Sequence, residues 1–396
     1  MRTLTTETAI VGGGLMGCWT AYFLRRRRRS VAVLEKGPVG AQASGVNFGN
    51  VRLQGRHSRQ LPLAIRAHEQ WEQIESLIGE SCEFAATGHL YVAGDETQQT
   101  KLEQYAKDAQ AHGIEVELLT PAEIRSRWPW LGGRPVGGCY SARDGAANPR
   151  LVTPAVARAA RRLGAEILER TKVVSVEKRA SGFRLKTDCD VTIESEFLIN
   201  AAGAWALDIA KMFGETAPMF AAGPPQFVTE PLPYFIEPAV QLVDGSVIFR
   251  QVARGNVVVA GYPRGPSDPV ANRAPVPPAK TLATMRRLAE TVPELAHAQV
   301  IRVWSGIEGY IPDMLPVIGP SATTEGLFHA FGFCGHGFQL GPGVGLVMSE
   351  LIVDGETRTP LDAFSISRFI DPLAATTWAK REEFDESLTV STGGRR

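Results

Sequence analysis

Glycines near the N-terminus have the spacing of a dinucleotide-binding turn. Apolar residues run into Gly12-Gly13-Gly14-Leu15-Met16-Gly17, and a second apolar run ends in Glu35. In this pattern Gly12 permits the tight turn, Gly14 lets the backbone approach a pyrophosphate, and Gly17 lets a helix pack closely on the strand. Glu35 lies 18 residues after Gly17, where a carboxylate can accept hydrogen bonds from ribose hydroxyls. The stretch predicts a nucleotide site; a glycine-rich turn in an ordinary α/β protein is the alternative.

A run of small residues at 37–50 is predicted to form a long irregular loop that lies along an extended ligand. A nicotinamide dinucleotide unit usually returns to its next helix sooner than this. Ser44 and Gly45 are predicted to donate hydrogen bonds to the pyrophosphate, and residues 46–50 to reach a reactive ring. A purely structural Ω loop is the alternative.

A second glycine-lined loop, Gly335-His336-Gly337-Phe338-Gln339-Leu340, leads into a helix predicted to start near Pro342. Proline suits the first position of a helix, and the free N–H groups of a helix N-terminus attract negative charge. The loop is therefore predicted to stabilise charge that develops on a bound ring during reaction. Either His336 contacts the ligand through its side chain, or its flanking glycines indicate that only the backbone matters.

Composition is typical of a globular protein large enough for two domains. The chain has 396 residues, 44% hydrophobic and 21% charged, with 42 basic residues against 42 acidic ones. This balance gives no argument for a nucleic acid or a membrane as partner. The five cysteines are scattered without CxxC spacing, so no disulfide framework, metal site or iron–sulfur cluster is expected. The scattered cysteines, the absence of a signal peptide and the lack of an apolar run near 18 residues favour the cytoplasm.

Periodicity predicts α/β structure that is interrupted and then resumes near residue 150. A buried strand at 197–205 ends in small residues, which would let backbone approach a second part of the same ligand. Helices are predicted over 61–77, 97–112, from 121, over 149–163, 279–292 and up to 353. Strands are predicted over 88–93, 173–176, 182–187, 191–195, and, in an antiparallel sheet, 226–228, 247–251 and 256–261. No regular element is predicted at 128–147 or past about 372.

Four separated motifs give the chain a resemblance to the D-amino acid oxidase/glycine oxidase/sarcosine oxidase family of FAD enzymes, over roughly residues 5–370. The motifs are Gly12 to Gly17 with Glu35; Ala43-Ser44-Gly45; Asn200-Ala201-Ala202-Gly203-Ala204-Trp205; and Asp313 with Leu315-Pro316-Val317-Ile318-Gly319 and then Gly335 to Gln339. Within the family, residues 43–52 and 333–342 look most like the FAD-bearing β subunits of D-hydroxyproline dehydrogenases and opine oxidases. Those act on secondary amino acids, usually with partner subunits that carry further redox centres.

The resemblance implies a mixed α/β fold: a Rossmann-like FAD-binding domain with an inserted substrate domain on a mixed, mainly antiparallel sheet. The FAD-binding domain is expected from residues 1–80, 150–214 and 311–371. The substrate domain is expected from 81–149 and 215–310, and 372–396 is expected to be a C-terminal tail with a loose Gly-Gly-Arg-Arg end.

The reaction implied is oxidation of an amine C–N bond, with the amine bound neutral and a hydride passing from Cα to flavin N5. His336 and Gly337 are the candidates at the flavin. Related enzymes carry a carboxylate-binding arginine shortly after Trp-x-Gly, where this chain has Glu308. Glu308 then either holds a cationic or secondary amine or caps a turn. Arg52 and Arg250 are the candidates for the substrate carboxylate, against surface or interdomain ion pairs.

The resemblance implies non-covalent FAD, since the cysteine that attaches flavin in some relatives has no counterpart here. The residues expected to contact FAD are Gly12, Gly14, Leu15, Met16, Gly17, Glu35, Lys36, Ala43, Ser44, Gly45, Asn47, Gly49, Asn50, Val51, Val173, Ala201, Ala202, Gly203, Trp205, Gly306, Gly335, His336, Gly337, Phe338, Gln339 and Leu340.

Lys280 is the only lysine in 215–310. Because some oxidases of the family use a lysine over the flavin to activate oxygen, this favours a dehydrogenase that passes electrons to a partner or quinone. A self-sufficient glycine, sarcosine or D-amino acid oxidase, a redox-silent flavoprotein scaffold and an NAD-dependent dehydrogenase are the alternatives. Partner redox subunits and peripheral attachment to the inner membrane stay open.

Overall fold

The computed structural model describes residues 2–370 and 379–390, without the side chains of 389 and 390. The strands are β1 (Arg2–Val11), β2 (Val31–Leu34), β3 (Asn50–Val51), β4 (His89–Ala93), β5 (Glu117–Leu119), β6 (Gly137–Ser141), β7 (Gly145–Ala146), β8 (Glu166–Leu168), β9 (Val173–Arg179), β10 (Gly182–Thr187), β11 (Val191–Asn200), β12 (Phe220–Gly223), β13 (Gln226–Pro231), β14 (Ala239–Leu242), β15 (Ile248–Gln251), β16 (Asn256–Ala260), β17 (Gly265–Pro266), β18 (Val300–Trp304), β19 (Glu308–Tyr310), β20 (Val317–Pro320) and β21 (Leu327–Phe331). The α-helices are α1 (Leu15–Arg26), α2 (Ala43–Val46), α3 (Leu61–Trp71), α4 (Ile74–Ile78), α5 (Glu96–Ala111), α6 (Pro121–Arg127), α7 (Pro149–Arg162), α8 (Ala206–Lys211), α9 (Pro278–Thr291), α10 (Gly337–Val353) and α11 (Glu386–Val390).

The first large sheet carries the dinucleotide-binding turn at the end of its central strand. Its order is β20-β21-β11-β1-β2-β8, with β10 and β9 attached to β11. Strands β21, β11, β1, β2 and β8 run parallel, and α1, α7 and α10 supply buried residues to the same core. Val11 lies opposite Asn200 in the β1–β11 register. The segments that follow both strands therefore meet at one edge, where α/β proteins bind ligands.

Strand β11 corrects the prediction of two separate strands at 191–195 and 197–205. Its first half alternates polar and apolar residues, while residues 198–200 at its end are all buried. Both halves belong to a single strand, which pairs in parallel with β1 from Val191 to Asn200 and carries β10 beside its first half.

The second large sheet has the order β18-β13-β16-β15-β14-β4-β6-β5 and is antiparallel except between β14 and β4. It confirms the predicted strands at 88–93, 226–228, 247–251 and 256–261. Strand β6 corrects the irregular connection predicted at 128–147. A Cβ on Gly138 would lie 2.7 Å from the carbonyl oxygen of Tyr91 on β4. Glycine is thus needed for packing at a position where its presence argues against a strand.

Two helical boundaries also differ from prediction. The helix predicted over 61–77 is divided into α3 and α4. Helix α10 begins at Gly337, five residues before Pro342, so placing Pro342 at its first position is wrong. Proline near the start of a helix removes one backbone hydrogen bond, and close packing offsets this loss: a Cβ on Gly343 would lie 2.9 Å from the carbonyl oxygen of Leu63 in α3.

A third, small sheet has the order β17-β12-β19. Residues 379–390 also form structure where none was predicted: a 3-10 helix at Arg381–Glu383 and then α11. Phe384 and Leu388 pack into a hydrophobic cluster with Tyr310 and Ile311. The predicted loose Gly-Gly-Arg-Arg end lies outside the described residues. The fold class is confirmed as mixed α/β, and the domain boundaries stay a prediction.

Candidate active site

A cavity of about 1040 Å³ runs from the dinucleotide turn to the loop before α10. Many residues predicted to contact the cofactor line it, together with Glu308. They are Gly12, Gly14, Leu15, Met16, Glu35, Lys36, Ala43, Ser44, Asn47, Gly49, Asn50, Val173, Ala201, Ala202, Gly203, Trp205, Gly335, Gly337 and Phe338. Segments from four separate parts of the sequence thus form one continuous wall.

The turn after β1 leaves no room for side chains. Gly12 has φ +113°, and a Cβ there would lie 2.3 Å from the carbonyl oxygen of Ala201. A Cβ on Gly17 would lie 2.0 Å from the carbonyl oxygen of Gly12, so the helix packs directly on the turn. The Glu35 carboxylate accepts the N–H groups of Gly13 at 2.7 Å and Gly37 at 2.8 Å. The predicted dinucleotide-binding turn therefore exposes backbone rather than side chains to the cavity, with the Glu35 carboxylate beside it.

The loop at 37–50 is more ordered than predicted, because it contains α2. Ser44 Oγ accepts the N–H of Leu15 at 2.9 Å, at the start of α1. Asn47 donates to the carbonyl oxygens of Ala43 at 3.0 Å and Ser44 at 2.9 Å, and its Oδ1 accepts the N–H of Gly49 at 2.8 Å. The loop is therefore fixed by its own side chains while it lines the cavity.

Lys36 and Trp205 meet across the cavity wall. The Lys36 ammonium lies 3.0 Å from the centre of the Trp205 ring, and the Trp205 indole donates to the carbonyl oxygen of Pro269 at 3.1 Å. Burial lowers the pKa of Lys36 to about 8. A cation over an aromatic face is attracted by the ring quadrupole, so this pair closes one side of the nucleotide end.

Several predicted contacts lie in the layer behind the cavity lining. The Gln339 side chain donates to the carbonyl oxygen of Ala64 at 2.8 Å, within the α3–α10 packing. Val51 and Leu340 are completely buried in the core. The residues predicted to contact the cofactor that do not line the cavity are Gly17, Gly45, Val51, Gly306, His336, Gln339 and Leu340. The side chains of Val51, Gln339 and Leu340 pack in the core, so any contact with the cofactor would come from their backbone, and these contacts stay predictions.

Charged groups gather around Gly335 at the other end of the cavity. A Cβ on Gly335 would lie 3.3 Å from Arg264 Nη2, 3.8 Å from Glu308 Oε2 and 3.9 Å from Tyr310 Oη. The Tyr310 hydroxyl donates to Glu308 Oε2. Burial raises the pKa of Glu308, opposed by this hydrogen bond and by Arg264. The end of the cavity thus presents a carboxylate with a guanidinium close by.

His336 is placed beside this end and does not line the cavity. Its Nδ1 lies 3.2 Å from Gln60 Oε1, and its carbonyl oxygen accepts a hydrogen bond from Arg56 at 3.3 Å. Desolvation by the surrounding protein, with Arg56 and Arg52 nearby, holds the pKa of His336 well below its ordinary value. The imidazole is therefore neutral near pH 7.

Arg52 is carried on a loop fixed by a buried acid. Asp144 accepts the N–H groups of Leu53 at 2.7 Å and Gln54 at 3.0 Å. The Arg52 guanidinium donates to the carbonyl oxygen of Gln54 and lies 5.9 Å from the centre of the Tyr91 ring. Within 2–370 and 379–390, Arg52 forms no ion pair with a carboxylate.

Arg250 contacts the loop at 37–50 that lines the cavity. Its Nε donates to the carbonyl oxygen of Phe48 at 3.0 Å and its Nη2 to that of Ala147 at 3.3 Å. Burial lowers its pKa to about 10. These N–H groups hold backbone carbonyls, which does not favour the assignment of Arg250 to a substrate carboxylate, and that assignment stays a prediction.

Three charged residues near this end were not found from the sequence. Arg264 pairs with Glu383 at 2.5 Å, and Lys380 lies 3.3 Å from Glu383. No motif spacing connects these positions, although Arg264 follows a Gly-Tyr-Pro turn. The lysine count in 215–310 also overlooked Lys380, which comes from the C-terminal segment. Lys280, in contrast, donates to the carbonyl oxygen of Pro263.

Cys334 lines the cavity as a packed thiol. Its Sγ lies 3.1 Å from the carbonyl oxygen of Gly332 and 3.3 Å from the N–H of Ile311. Burial raises its pKa to about 12, so it is not a thiolate at neutral pH. In the part of the chain that the structure describes, no three His, Cys, Asp or Glu side chains group to hold a metal ion. None of the helices there has the length and apolar character to cross a membrane.

Several known enzymes are similar to this chain in sequence. Glycine oxidase of Geobacillus kaustophilus is 28% identical over 372 residues, which cover 92% of this chain and 97% of that protein. Human mitochondrial dimethylglycine dehydrogenase is 26% identical over 92% of this chain, but the match spans only 44% of the longer enzyme. Mouse sarcosine dehydrogenase is likewise matched over 43% of its length.

Solved structures share the same fold. The crystal structure of L-proline dehydrogenase from P. horikoshii superposes with a TM-score of 0.87 at 25% identity, covering 93% of this chain and 98% of that one. Glycine oxidase from Geobacillus kaustophilus superposes with a TM-score of 0.86 at 26% identity, covering 92% and 99%. The DAO family model of FAD dependent oxidoreductases matches residues 7–351. The chain belongs to this family of FAD-dependent oxidoreductases, enzymes that act on the C–N bonds of amino acids.

Proposed function

We propose that this enzyme oxidises the C–N bond of a secondary amino acid, such as D-hydroxyproline, D-proline or an opine, and passes the electrons to a partner protein or a quinone. The observation that carries the substrate class is the buried carboxylate of Glu308 beside Gly335. A carboxylate at this place suits an amine, and the arginines nearby suit the substrate's own carboxylate.

The wall of the cavity fits FAD. The turn at Gly12 approaches Ala201 so closely that only backbone can face a pyrophosphate there, and the Glu35 carboxylate is placed for a ribose. Bound FAD supplies the hydride acceptor at flavin N5. On the protein side, the free N–H groups at the start of α10 favour negative charge, and Gly337 and Phe338 of that first turn line the cavity.

Arg52 is our proposed partner for the substrate carboxylate. Its loop is fixed by Asp144, and its guanidinium donates to the carbonyl oxygen of Gln54. Glu308 accepts the Tyr310 hydroxyl on one oxygen, Oε2, and we propose that it receives the substrate amine. No further base is required, because an amine bound neutral needs no proton removed before hydride transfer.

A self-sufficient oxidase is the second candidate. It is favoured by the match to glycine oxidase over nearly the whole of both chains and by Lys380, whose ammonium lies near the charged end of the cavity. The scarcity of lysine in 215–310 supports the dehydrogenase instead. Peroxide formation separates the two: stoichiometric peroxide in air, without any added acceptor, would exclude the dehydrogenase.

Anaerobic mixing with a substrate panel tests the proposal. D-hydroxyproline, D-proline, an opine, sarcosine, glycine and D-alanine are each added to the FAD-loaded enzyme, and flavin absorbance near 450 nm is followed. Bleaching by the secondary amines at lower concentration than by glycine or D-alanine is the expected result. Faster bleaching by the primary amines would contradict the substrate class, and no bleaching by any compound would indicate a redox-silent scaffold. We further propose that the enzyme works in the cytoplasm with partner redox subunits and is attached peripherally to the inner membrane.

A further inference from the structure

The small sheet β17-β12-β19 brings Arg264 and Glu308 towards one place. Ala222 of β12 pairs with Glu308 on one side and with Pro266 on the other. Arg264 directly precedes β17, and β12 lies between β17 and the strand β19 that carries Glu308. Both side chains end near Gly335, within 3.3 Å and 3.8 Å of the position of a Cβ there. A positive and a negative group thus stand near a single point at the cavity's end.

The Arg264 guanidinium is held from several directions. Its Nη1 pairs with Glu383 at 2.5 Å, with both side chains less than 10% exposed. Its Nη2 donates to the Tyr262 hydroxyl at 3.2 Å. The rings of Tyr262, Tyr310 and Phe384 have their centres 4.4 Å, 4.9 Å and 5.2 Å from the guanidinium carbon. These contacts fix the orientation of the planar guanidinium of Arg264.

Part of its hydrogen-bonding capacity is unused. Arg264 is 5% exposed, and its buried Nε has no partner among the residues that the structure describes. A guanidinium has five N–H donors in a fixed fork, and an unmade hydrogen bond of a buried charged group is costly. The guanidinium atom nearest to Gly335 is Nη2, which has two N–H groups and donates one of them to Tyr262. The unused donors therefore point to a ligand, and an anion beside Gly335 would accept the second N–H of Nη2.

Glu383 owes its position to the C-terminal segment. The N–H of Arg264 donates to the Glu383 carbonyl oxygen at 2.8 Å, and the N–H of Asp385 donates to the Arg264 carbonyl oxygen at 2.9 Å. The N–H of Ala379 donates to the carbonyl oxygen of Pro312 at 2.9 Å. Backbone hydrogen bonds thus hold the segment 379–388 both at Pro312 and at Arg264. The Glu383 carboxylate therefore meets Arg264 in a fixed geometry.

We propose that Arg264 binds the α-carboxylate of the substrate and that Glu383 is the positioning residue that fixes its guanidinium. The proposal rests on the proposed function, since it assumes an amino acid whose amine faces Glu308. Arg264 then acts together with Arg52, and the C-terminal segment becomes part of the substrate site.

Binding of an unreactive ligand tests this without turnover. Pyrrole-2-carboxylate and its uncharged analogue pyrrole-2-carboxamide are titrated into the FAD-loaded enzyme, and the dissociation constants are read from the change in flavin absorbance. In Arg264→Gln the carboxylate is expected to bind about 10- to 100-fold more weakly, as for the loss of a charged hydrogen bond. The carboxamide should change by less than about twofold, because the selectivity comes from charge.

The role of Glu383 is tested by a pair of variants. Glu383→Gln keeps an acceptor of the same length for Arg264 and should bind the carboxylate within about threefold of the unaltered enzyme. Glu383→Ala removes the acceptor, and binding should weaken about tenfold while kcat changes less than about threefold. Glu194→Gln removes the charge from another Arg–Glu pair with a 2.5 Å contact, on β11. It is the matched control and should change the binding of neither ligand.

Unchanged carboxylate binding in Arg264→Gln would overturn the proposal, and so would equal weakening of carboxylate and carboxamide. If Arg264→Gln loses FAD, Tyr262→Phe decides, because it removes one hydrogen bond from Arg264 and leaves the Glu383 pair. Its carboxylate binding should weaken about threefold, and unchanged binding would overturn the proposal. Failure of the substrate panel to bleach the flavin would refute the proposed function while these titrations could still support Arg264.

Discussion

Glu308 is a carboxylate whose environment favours its neutral form. Burial raises its pKa above the ordinary value of 4.5. The folded protein therefore binds its proton more tightly than the unfolded chain, and stability falls as pH rises above about 4.5 through the raised pKa. Glu308→Gln removes this cost. We expect its Tm to exceed that of the unaltered protein by about 1–3 °C at pH 8, with a smaller difference at pH 5.

Thermal unfolding of the FAD-loaded protein between pH 5 and pH 8 measures this difference. Glu194→Gln, at a partly exposed carboxylate on β11, serves as the control for the substitution itself. A Glu308→Gln variant that is less stable at pH 8 than at pH 5, relative to the unaltered protein, would contradict the direction of the pKa shift.

Arg52 is expected to act on substrate affinity. Arg52→Gln removes a guanidinium that forms no ion pair with the described carboxylates, so an anionic substrate loses its partner while no ion pair of the fold is broken. We expect KM to rise about 10- to 100-fold, as for a charged hydrogen bond, with a smaller effect on kcat. Steady-state kinetics with the best substrate of the panel measures it. Arg184→Gln, partly exposed on β10, is the control, and an equal rise of KM in that variant would refute the assignment.

At the level of elements, the turn between β1 and α1 is the most constrained. Gly12→Ala adds a Cβ 2.3 Å from the Ala201 carbonyl oxygen at φ +113°, so either the turn or the segment after β11 must move. We expect FAD to be lost on gel filtration, and Tm to fall by about 5 °C or more. Gly94→Ala is the control, since its Cβ would meet Gln98 Oε1 at 3.7 Å. If Gly12→Ala kept its FAD, with an unchanged ratio of flavin to protein absorbance, the turn would tolerate a side chain and this expectation would be wrong.

Elements could be predicted where their signal is local. The dinucleotide turn is readable because strand, glycines, helix and acid follow one another within about 30 residues, and the capping box at Thr120 and Glu123 marks α6 in the same way. Strand β6 could not be read, because Gly137 and Gly138 serve its packing and weaken its strand pattern. Helix α10 was placed late because Pro342 suits a first position, while tight packing of glycines holds it inside the helix.

For the whole molecule, the limits of prediction come from contacts between distant segments. Arg264 and Glu383 are 119 residues apart, and neither has a motif around it. Their meeting depends on the register of the small sheet and on the path of the C-terminal segment. The cofactor cavity could be predicted as a set of motifs, since each carries its own glycines. At the charged end only Glu308 and Arg52 were named from the sequence, and their roles stay predictions. Side chains that converge from several strands leave no spacing in the sequence.

Arg250 connects the second large sheet with the cofactor side, and this coupling can be tested. From β15 it holds the carbonyl oxygens of Phe48, in the loop along the cavity, and Ala147. Arg250→Met leaves both carbonyls without this donor. We expect FAD to bind about tenfold more weakly and Tm to fall by about 2–6 °C, with KM for substrate changed less than about twofold. Arg254→Met, which removes an exposed arginine 3.6 Å from Glu83, is the matched control.

FAD affinity is measured by titrating the apoprotein and following flavin fluorescence, and KM is measured with FAD in excess. The two quantities separate the roles of Arg250. If it anchors the cofactor loop, excess FAD restores the kinetics because the substrate end is intact. If it binds the substrate carboxylate, KM stays high at any FAD concentration while FAD affinity is unchanged. The second outcome would return Arg250 to the substrate site and refute the anchoring that its hydrogen bonds indicate.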